Sequence, residues 1–433
     1  MSERSGAPIG WFRNTAPYIN LHRGATFVLQ VPGAVQAEGA LRGLLHDVAL
    51  LSSLGVRLVL VHGARAQVEQ RLAQAGLGSQ LHRGRRITDA ATLALVQQVV
   101  GAQRLQLEAQ LSMDLPNSPM QGAKLRVGSG NFVVARPLGV VDGIDHQLTG
   151  CVRRIDTAGI RTLLDGGSVV LLSSLGFSPT GECFNLTLAD VAVSAARALE
   201  ADKLIILGAD RGVHDARGQL VRQCVAGDTE RIPDGTQAQL LASAALACRG
   251  GVPRAHIVSY RDPDALLTEL FTTDGSGTLV AERPYEESRW ATIDDVGGVI
   301  ELIAPLEDSG VLLRRSRERL EAEIGHFRIL ERDGRLTACA ALYPFADTRQ
   351  AELACIVTAP DYRRGRRGGR LLAELEGEAL RRGIEEVFVL TTQTAHWFLE
   401  QGFRAGALSE LPPQRQALYN LQRNSKVLRK VLG

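Results

Sequence analysis

Short runs of almost wholly apolar residues recur between residues 25 and 281 and alternate with longer stretches that have helical spacing. Five runs are rich in valine, leucine and isoleucine: 25–31, 56–62, 168–174, 202–208 and 254–260. The clearest helical stretches between them are 36–54, 88–112 and 187–200. Strands that are apolar on both faces are typical of a parallel sheet covered by helices on each side. The pattern therefore predicts an α/β domain, with a mostly parallel sheet between two helix layers.

The pattern changes at the polar segment 280–295, which contains Pro284 and has no clear period. We therefore predict a first domain at 1–285 and a second at 286–433. The second shows these patterns in order: helices 294–304 and 313–324, strands 326–332, 335–343 and 350–358, helix 370–382, strand 385–392 and helix 394–402. This order of elements predicts an α+β domain.

Charge, cysteine and histidine content argue against several classes of function. The 433 residues carry 49 lysines and arginines against 47 aspartates and glutamates, so no overall basic field draws the protein to nucleic acid. The six cysteines show no CxxC pairing and the nine histidines no metal-binding spacing, so we expect reduced thiols and no metal. No apolar run reaches the ~18 residues of a membrane span, and we expect a soluble, cytoplasmic protein without membrane contact.

An arginine- and glycine-rich run, "PDYRRGRRGGRLLAELEGEAL" at 360–380, follows the strand pattern that ends at residue 358. A glycine-rich turn that leads into a helix presents unpaired backbone N–H groups and the positive end of the helix dipole to an anion. Arginines beside it add charge-assisted contacts. By itself the run leaves three interpretations open: a phosphate cradle, a solvated basic turn and a nucleic-acid patch.

A strand, then R/Q-x-x-G-x-G/A, then an amphipathic helix resembles the acetyl-CoA-binding signature of the GNAT acetyltransferases. Arg363 stands at the Gln/Arg position and Gly368 at the last Gly/Ala position, whereas Arg366 replaces the middle glycine. The resemblance implies that this loop and the backbone of the preceding strand bind acetyl-CoA. The implied contacts are Cys355, Ile356, Val357, Arg363, Arg364, Gly365, Arg366, Arg367, Gly368 and Gly369.

Longer segments extend the resemblance over essentially the whole chain. "VLLRRSRERLE" (311–321), "AELACIVTAPDYR" (351–363), "FVLTTQTAHWFLEQGF" (388–403) and "LYNLQRNSKVL" (418–428) are similar to the bacterial N-acetylglutamate synthase family. That family implies an amino-acid-kinase-like αβα sandwich followed by a GNAT domain. It implies acetyl transfer from acetyl-CoA to the α-amine of L-glutamate, the first step of arginine biosynthesis, with feedback inhibition by L-arginine. It also implies a homo-oligomer, with a hexamer as the expected assembly.

The first domain resembles an amino-acid kinase that has lost its cationic groups. In "FVLQVPGAV" (27–35), Gln30 stands where the kinases have a lysine, and "VPGA" replaces a Gly-Gly turn. The second loop reads "HGARA" instead of a glycine triplet, so Cβ atoms obstruct the close approach of phosphate. A later kinase lysine has no counterpart in 240–251. Because phosphoryl transfer depends on such charges, we expect no kinase activity.

Six residues match the arginine-binding positions of arginine-inhibited kinases: Tyr18, Lys203, His256, Glu269, Gly275 and Gly277. Glu269 is the carboxylate that a guanidinium requires. Taken singly, Lys203 fits a solvated strand-end charge, His256 a core histidine, and the two glycines a plain turn. Their joint occurrence in the expected order implies an inhibitor site for L-arginine.

Glu352 is the residue that the resemblance places as general base, since an amine that is protonated near neutrality must lose a proton before it attacks. The alternative is a surface glutamate on a half-exposed strand. Strand geometry predicts that Glu352 and Ala354 share one face, opposite Leu353 and Cys355. Backbone N–H groups at 355–357 are predicted to polarise the thioester carbonyl.

Thr391 matches a hydroxyl that is suggested to protonate the departing thiolate, and Tyr419 is a second candidate. A thiol has a pKa of ~8.5, so the thiolate also leaves without an acid, and Thr391 could instead cap the following helix. Cys355 is interpreted as a backbone contact and not as a nucleophile, because no positioned histidine is apparent.

Arg315 and Arg423 match the positions that bind glutamate in the family, with Leu313 and Ser425 beside them. A planar guanidinium suits a carboxylate. The neighbouring Arg314 and Arg317 are interpreted as exposed helix charge.

The sequence thus predicts an acetyltransferase that acts on L-glutamate and responds to L-arginine. An acetyltransferase for another amino acid would be separated from it by substrate competition. A non-catalytic sensor of arginine and CoA would release no thiol, and a nucleic-acid module would show salt-sensitive retention on DNA or RNA.

Overall fold

The computed structural model describes residues 7–114, 121–228, 232–272, 274–283, 286–332, 335–345, 347–365, 367–420 and 422–433. The chain divides into two compact units, Met1–Pro284 and Tyr285–Gly433. Each unit has its own sheet and its own hydrophobic cores, and each is described by itself.

The first unit contains strands and helices in alternation. The described strands are β1 (Thr26–Val31), β2 (Arg57–His62), β3 (Leu81–His82), β4 (Arg85–Arg86), β5 (Arg126–Ser129), β6 (Val133–Pro137), β7 (Val140–Val141), β8 (Ile144–Asp145), β9 (Gly150–Ile155), β10 (Ser168–Ser173), β11 (Leu175–Phe177), β12 (Cys183–Asn185), β13 (Lys203–Gly208), β14 (Gln223–Val225), β15 (Arg254–Ser259) and β16 (Thr278–Ala281). The described helices are α1 (Ala7–His22), α2 (Ala34–Ala37), α3 (Leu41–Ser53), α4 (Arg65–Gln74), α5 (Ala90–Leu111), α6 (Thr157–Asp165), α7 (Leu188–Ala198), α8 (Thr236–Arg249) and α9 (Ala265–Phe271).

The main sheet of the first unit has eight strands in the order β14-β16-β15-β13-β1-β2-β10-β5. Every neighbouring pair is parallel except β15 and β16. The five apolar runs of the sequence form the adjacent strands β15, β13, β1, β2 and β10, each with bounds within one residue of the prediction. The mostly parallel sheet is confirmed.

Both faces of this sheet are buried. Val28 and Val59 belong to a core that also contains side chains of α6, α7 and α8. Phe27 and Leu58, one residue earlier on the same strands, belong to a second core with α3, α5 and α9. Successive side chains of a strand point to opposite faces, so each strand supplies both cores. This confirms the αβα sandwich.

The second unit has seven described strands and five α-helices. The strands are β17 (Glu287–Trp290), β18 (Phe327–Arg332), β19 (Arg335–Phe345), β20 (Gln350–Thr358), β21 (Glu386–Thr391), β22 (Arg404–Ala405) and β23 (Lys426–Val431). The helices are α10 (Val296–Asp308), α11 (Arg317–Glu323), α12 (Arg367–Arg381), α13 (Ala395–Glu400) and α14 (Pro413–Ala417).

These strands form one sheet in the order β17-β18-β19-β20-β21-β23-β22. Neighbours are antiparallel except for β20 and β21, which run parallel. One face packs on α12 through residues such as Leu353 and Leu375. The other packs on α10 and α11 through residues such as Val299 and Leu320. The predicted α+β class is confirmed.

Some elements were not predicted from the sequence. The first unit has a second sheet in the order β12-β11-β6-β9, and in the second unit β17, β22 and β23 extend the main sheet. Strands β11 and β12 have three residues each, too few to show a period. Within the described ranges no helix combines the length and apolarity needed to cross a membrane. All six cysteines are free thiols.

Two buried histidines of the first unit predict a loss of stability in acid. Burial is the main cause that lowers the pKa of His22 and of His62 from 6.5 to about 4, and the charges of Lys203 and Arg104 respectively add to it. A histidine with a depressed folded-state pKa binds its proton more readily when unfolded, so stability falls as pH drops from 6.5 towards 4. We expect a loss on the order of 3 kcal/mol for each histidine over that window.

The measurement is urea unfolding of the full chain between pH 7.5 and 4.5. His62→Gln should remove a large part of the pH dependence, whereas His396→Gln, at an exposed position in the second unit, should not. An unchanged pH slope in His62→Gln would show that burial of this imidazole does not govern acid stability.

Candidate functional site

Strands β20 and β21 separate in the middle of the second sheet. Their pairing stops at Glu352, opposite Phe388, although β20 continues to Thr358. Beyond this point β20 has no partner strand on its β21 side among the described residues. Free backbone groups at such an opening are available to bind a ligand. The opening coincides with Cys355–Val357, the predicted acetyl-CoA contacts.

A β-bulge lies in the same part of β20. Cys355 has a φ of +50°, in the left-handed region, and the register with β19 shifts between Cys339 and Ala341. A non-glycine residue in this conformation is strained and often lies at a functional site. The bulge corrects one prediction: Cys355 packs on the same face as Ala354, near α10, and not with Leu353 on the α12 face. Strict alternation fails because one extra residue is inserted.

The thiol of Cys355 is poorly suited to be a nucleophile. Burial raises its pKa to about 11, and the charge of Glu352 contributes, although the charge of Arg315 opposes the rise. Since the thiolate is the reactive form, this agrees with the interpretation of Cys355 as a backbone contact.

Glu352 is held by an arginine that the sequence did not single out. Arg415, on α14, donates from Nε to Oε2 of Glu352 at 2.6 Å and from a terminal nitrogen to Oε1 at 3.1 Å. The two side chains are 17% and 13% exposed. The alternative of a solvated surface glutamate is therefore wrong for this side chain, because it lies in a largely buried ion pair.

Arg315, in the segment between α10 and α11, has an unfilled donor. Its Nε is buried and has no hydrogen-bond partner among the described residues. One terminal nitrogen donates to the carbonyl oxygen of Leu313 at 3.3 Å. Arg314 and Arg317 are exposed and pair with Asp308 and Glu321, as predicted for surface charge.

Arg423 reaches the segment that carries Arg315. Its guanidinium donates to the carbonyl oxygen of Val311. Ser425 is buried, and its carbonyl oxygen accepts the hydroxyl of Tyr419 at 2.6 Å. The structure therefore brings together the residues predicted to bind the substrate, from two distant parts of the chain.

Thr391 organises the turn before α13. Its Oγ1 accepts the backbone N–H of Thr394 at 3.1 Å and lies 2.9 Å from the Thr394 hydroxyl. Thr394 is the N-cap of α13, so Thr391 supports the cap from three residues earlier. This arrangement fits the structural alternative raised for Thr391, and the hydroxyl of Tyr419 is likewise engaged.

The arginine- and glycine-rich run forms a 3₁₀ turn, Pro360–Gly365, followed by α12. Gly368 and Gly369 lie in the first helical turn, where backbone N–H groups have no partner within the helix. Arg363 is exposed. Arg366 and the side chain of Arg364 lie outside the described residues.

The side chain of Arg367, one of the implied acetyl-CoA contacts, is bound to other groups of the second unit. Its Nε donates to Glu286 Oε1 at 2.5 Å, and a terminal nitrogen donates to the carbonyl oxygen of Tyr362 at 2.9 Å. The guanidinium also lies over the Tyr362 ring, 5.0 Å from its centroid, and is buried. The side chain therefore anchors the turn to the body of the unit.

In the first unit, three of the predicted arginine-site side chains form a chain of contacts. Lys203 Nζ lies 3.4 Å from His256 Nε2, and His256 Nδ1 lies 2.7 Å from Glu269 Oε1. A lysine ammonium can only donate, so Nε2 accepts and Nδ1–H donates to Glu269. Tyr18 lies on α1, which packs on α9, the helix that carries Glu269.

Electrostatics agree with a charged Glu269 carboxylate that accepts from a neutral His256 imidazole. Burial raises the pKa of Glu269, but the hydrogen bonds from His256 and from the backbone of Gly277 and Ser276 outweigh it and lower the pKa to about 2. Burial and the charge of Lys203 lower the pKa of His256.

Both glycines of this site lie where the backbone comes so close to neighbouring atoms that a side chain would collide with them. Gly275 has a φ of +62°, and a Cβ there would lie 2.4 Å from Glu269 Oε2. A Cβ on Gly277 would lie 2.1 Å from the carbonyl oxygen of Ile257. The backbone N–H of Gly277 donates to Glu269 at 2.8 Å. These glycines are more than a plain turn, because they let the loop close over the carboxylate.

A cavity of about 540 Å³ lies at the carboxyl ends of the central strands of the first unit. Gln30, Gly33 and Gly63 line it, so the two loops with kinase resemblance meet there. Gln30 is buried, and its Oε1 has no partner among the described residues. No group of three or more His, Cys, Asp or Glu side chains suited to a metal ion occurs in the described part of the chain.

Two protein-family models match the chain, one in each unit. Residues 25–259 match the amino acid kinase family, and residues 299–403 match the acetyltransferase (GNAT) family. Fold and site together define an amino-acid-kinase-fold domain joined to a GNAT acyltransferase domain.

Curated relatives and solved structures match almost the full length. The amino-acid acetyltransferases of Pseudomonas putida and Azotobacter vinelandii are 55% and 56% identical over 428 residues, 98% of this chain and 99% of each relative. The crystal structure of N-acetylglutamate synthase from Neisseria gonorrhoeae complexed with coenzyme A and L-arginine is 38% identical, with a TM-score of 0.87 and coverage of 98% of this chain and 99% of that one. The structure of that synthase with coenzyme A and N-acetyl-glutamate is 39% identical, with a TM-score of 0.64 and the same coverage.

The chain belongs to the amino-acid acetyltransferase family. It is an acyltransferase whose GNAT domain takes the acetyl group from acetyl-CoA.

Proposed function

We propose that the acceptor is L-glutamate and that the products are N-acetyl-L-glutamate and CoA. The observation that carries this proposal is the position of Glu352 at the opening between β20 and β21, together with the hydrogen bond from Arg423 to the segment that carries Arg315. A carboxylate suits the removal of a proton from an ammonium group, and two guanidinium groups suit a dicarboxylate acceptor. The similar synthase that was crystallised with N-acetyl-glutamate supports the same acceptor.

The reaction proceeds by direct transfer in this proposal. Glu352 takes a proton from the α-ammonium group, and the amine nitrogen attacks the thioester carbon. Backbone N–H groups at Cys355–Val357 stabilise the oxyanion, after which the C–S bond breaks, and the second proton that the nitrogen loses ends on the thiolate. Thr391 and Tyr419 are the candidate donors to the departing thiolate, which also leaves unaided because a thiol has a pKa of ~8.5.

The pyrophosphate of acetyl-CoA is proposed to lie at the start of α12. Gly368 and Gly369 allow close backbone approach there, and the positive end of a 15-residue helix attracts the anion. Arg363 is exposed and is free to add a charge-assisted contact.

For the first unit we propose a regulatory role without kinase activity. L-arginine binds at Tyr18, Lys203, His256, Glu269, Gly275 and Gly277 and inhibits acetyl transfer, as suits the first step of arginine biosynthesis. The similar synthase that was crystallised with L-arginine supports this ligand. We also propose that the protein is cytoplasmic and assembles into a homo-oligomer of six chains.

A thiol-release assay across amino acids tests the acceptor. The protein, acetyl-CoA and each amino acid are combined with and without L-arginine, and the CoA thiol is measured. Preferred turnover of L-glutamate, reduced by L-arginine, is the expected result. Preference for another amino acid would refute the acceptor, and an absence of thiol release with every amino acid would favour a sensor.

Arg423→Lys should weaken glutamate binding by roughly tenfold or more with little change in kcat. Lysine keeps the charge but loses the planar fork that binds a carboxylate in two places. Steady-state kinetics with varied glutamate measure the effect. Arg314→Lys is the matched control, because Arg314 is exposed and pairs with Asp308. An unchanged KM for glutamate would remove Arg423 from the substrate site.

A further inference from the structure

Arg415 and Glu352 form a two-point ion pair that competes with the function proposed for Glu352. The guanidinium donates to both carboxylate oxygens, at 2.6 and 3.1 Å. Two of the roughly four acceptor positions of the carboxylate are thus filled by a cation that does not give up a proton. An ammonium group that transfers its proton to Glu352 therefore competes with Arg415 for this carboxylate.

Opening the pair without replacement is unfavourable. The two side chains are only 13% and 17% exposed, so separation leaves two poorly solvated charges. The backbone around Arg415 is also well fixed. Leu411 packs in a core with Phe388, which lies directly opposite Glu352, and Pro413 occupies the first turn of α14. A ligand must supply compensating charges to both partners.

We propose that Arg415 binds the α-carboxylate of the acceptor and that the acceptor's zwitterion replaces the Glu352–Arg415 ion pair. An α-amino acid carries an ammonium and a carboxylate on one carbon, so the two groups are as close together as the partners they replace. The ammonium takes the place of Arg415 beside Glu352, and the carboxylate takes the place of Glu352 beside Arg415. Each buried charge keeps an opposite charge throughout.

This exchange deepens the proposed function and rests on it, because it assumes Glu352 as the base. It divides the recognition of a dicarboxylate acceptor between two sets of arginines. Arg415 contacts the α-carboxylate next to the reacting nitrogen. Arg315, whose buried Nε has no partner among the described residues, and Arg423 are left for the side-chain carboxylate. An amine without an adjacent carboxylate would leave Arg415 uncompensated and is rejected.

Protons and bonds balance in this sequence of events. The ammonium transfers one proton to Glu352, the N–C bond to the acetyl carbon forms, and the C–S bond of the thioester breaks. The second proton that the nitrogen loses ends on the departing thiolate and gives the CoA thiol, whereas the proton on Glu352 leaves to solvent. Departure of the acetylated product lets Arg415 pair with Glu352 again.

The test compares L-glutamate with L-isoglutamine, which has an α-carboxamide but keeps the α-amine and the side-chain carboxylate. In the wild type, kcat/KM for isoglutamine should be lower by roughly 10- to 100-fold, the usual range for loss of a charge-assisted hydrogen-bonding partner. Arg415→Gln should lower kcat/KM for glutamate by a similar factor and leave that for isoglutamine within about threefold. Arg415→Lys should recover part of the glutamate activity. The KM for acetyl-CoA should not change.

Arg317→Gln is the matched control, because Arg317 also pairs with a glutamate but is exposed on α11. Equal losses for glutamate and isoglutamine in Arg415→Gln would overturn the proposal, since a structural role of Arg415 would affect both acceptors alike. If isoglutamine is not acetylated, its inhibition constant against glutamate is measured in the wild type and in Arg415→Gln. An inhibition constant that Arg415→Gln leaves unchanged supports the proposal, and one that rises as much as the loss for glutamate overturns it. If the wild type prefers another amino acid, the proposed acceptor is wrong. The role of Arg415 is then tested by the same comparison between that amino acid and its α-amide.

Discussion

Glu352→Gln is expected to lower kcat/KM for the acceptor by roughly 10²- to 10⁴-fold, the range that a general base contributes. Glutamine has nearly the same shape but cannot accept the ammonium proton. The KM for acetyl-CoA should remain close to that of the wild type, because the proposed cradle is made mainly of backbone groups. Steady-state kinetics of thiol release, with each substrate varied in turn, provide the measurement.

The pH dependence and the stability of the variant separate a chemical role from a structural one. Without its base, the variant should gain rate as pH rises above about 8 and more of the amine loses its proton unaided. Glu352→Gln also leaves Arg415 without its anion, so urea unfolding must show that the variant is folded. Glu400→Gln, at an exposed position on α13, is the matched control. Turnover near the wild-type level at neutral pH would show that the base is another group.

The pattern of apolar residues was sufficient to predict the fold class and the central strands of both units. The central strands of the first unit are buried on both faces, so their sequences are apolar without interruption, and this signal is local. Glu352 and Arg315 were found because a family resemblance marked them. Gly275 and Gly277 were found in the same way, and their close contacts with Glu269 and Ile257 now give a physical reason for glycine.

Contacts between residues that are far apart in the sequence could not be predicted from the sequence. The bulge at Cys355 follows from the pairing of β20 with β19 and leaves no local pattern. Arg367 resembles its neighbours in the sequence, yet only its burial with Glu286 distinguishes it from a phosphate ligand. Arg415 lies 63 residues from Glu352, and the one local hint is the Pro412–Pro413 pair that starts α14.

Glu269→Gln should raise the L-arginine concentration needed for half-maximal inhibition by roughly 10- to 150-fold, which corresponds to the ~1.5–3 kcal/mol that a hydrogen bond to a charged group contributes. The uninhibited kcat should change little, because the substitution lies in the first unit and touches none of the proposed catalytic residues. Inhibition curves at fixed acetyl-CoA and glutamate measure the effect. Glu282→Gln, at an exposed position in the same unit, is the matched control.

The geometry explains why glutamine is a sharper test than alanine. Glu269 already accepts from His256, Ser276 and Gly277, which fill three of the roughly four acceptor positions of a carboxylate. A guanidinium must take the remaining position or displace His256, and both need the negative charge. Alanine would also remove the anchor of the glycine loop and leave His256 without its anion, so lost inhibition would not be separated from local unfolding.

Glutamine keeps one oxygen for the N–H groups of the loop, while its NH2 replaces the oxygen that accepts from His256, so the negative charge and one acceptor are lost. Inhibition requires L-arginine to favour a less active state of the whole protein, because its proposed site and Glu352 belong to different units. Inhibition that is unchanged in Glu269→Gln, or that is purely competitive with glutamate, would place the inhibitor elsewhere. Weakened inhibition with unchanged kcat and unchanged unfolding would instead identify the Glu269 carboxylate as the group that recognises the guanidinium.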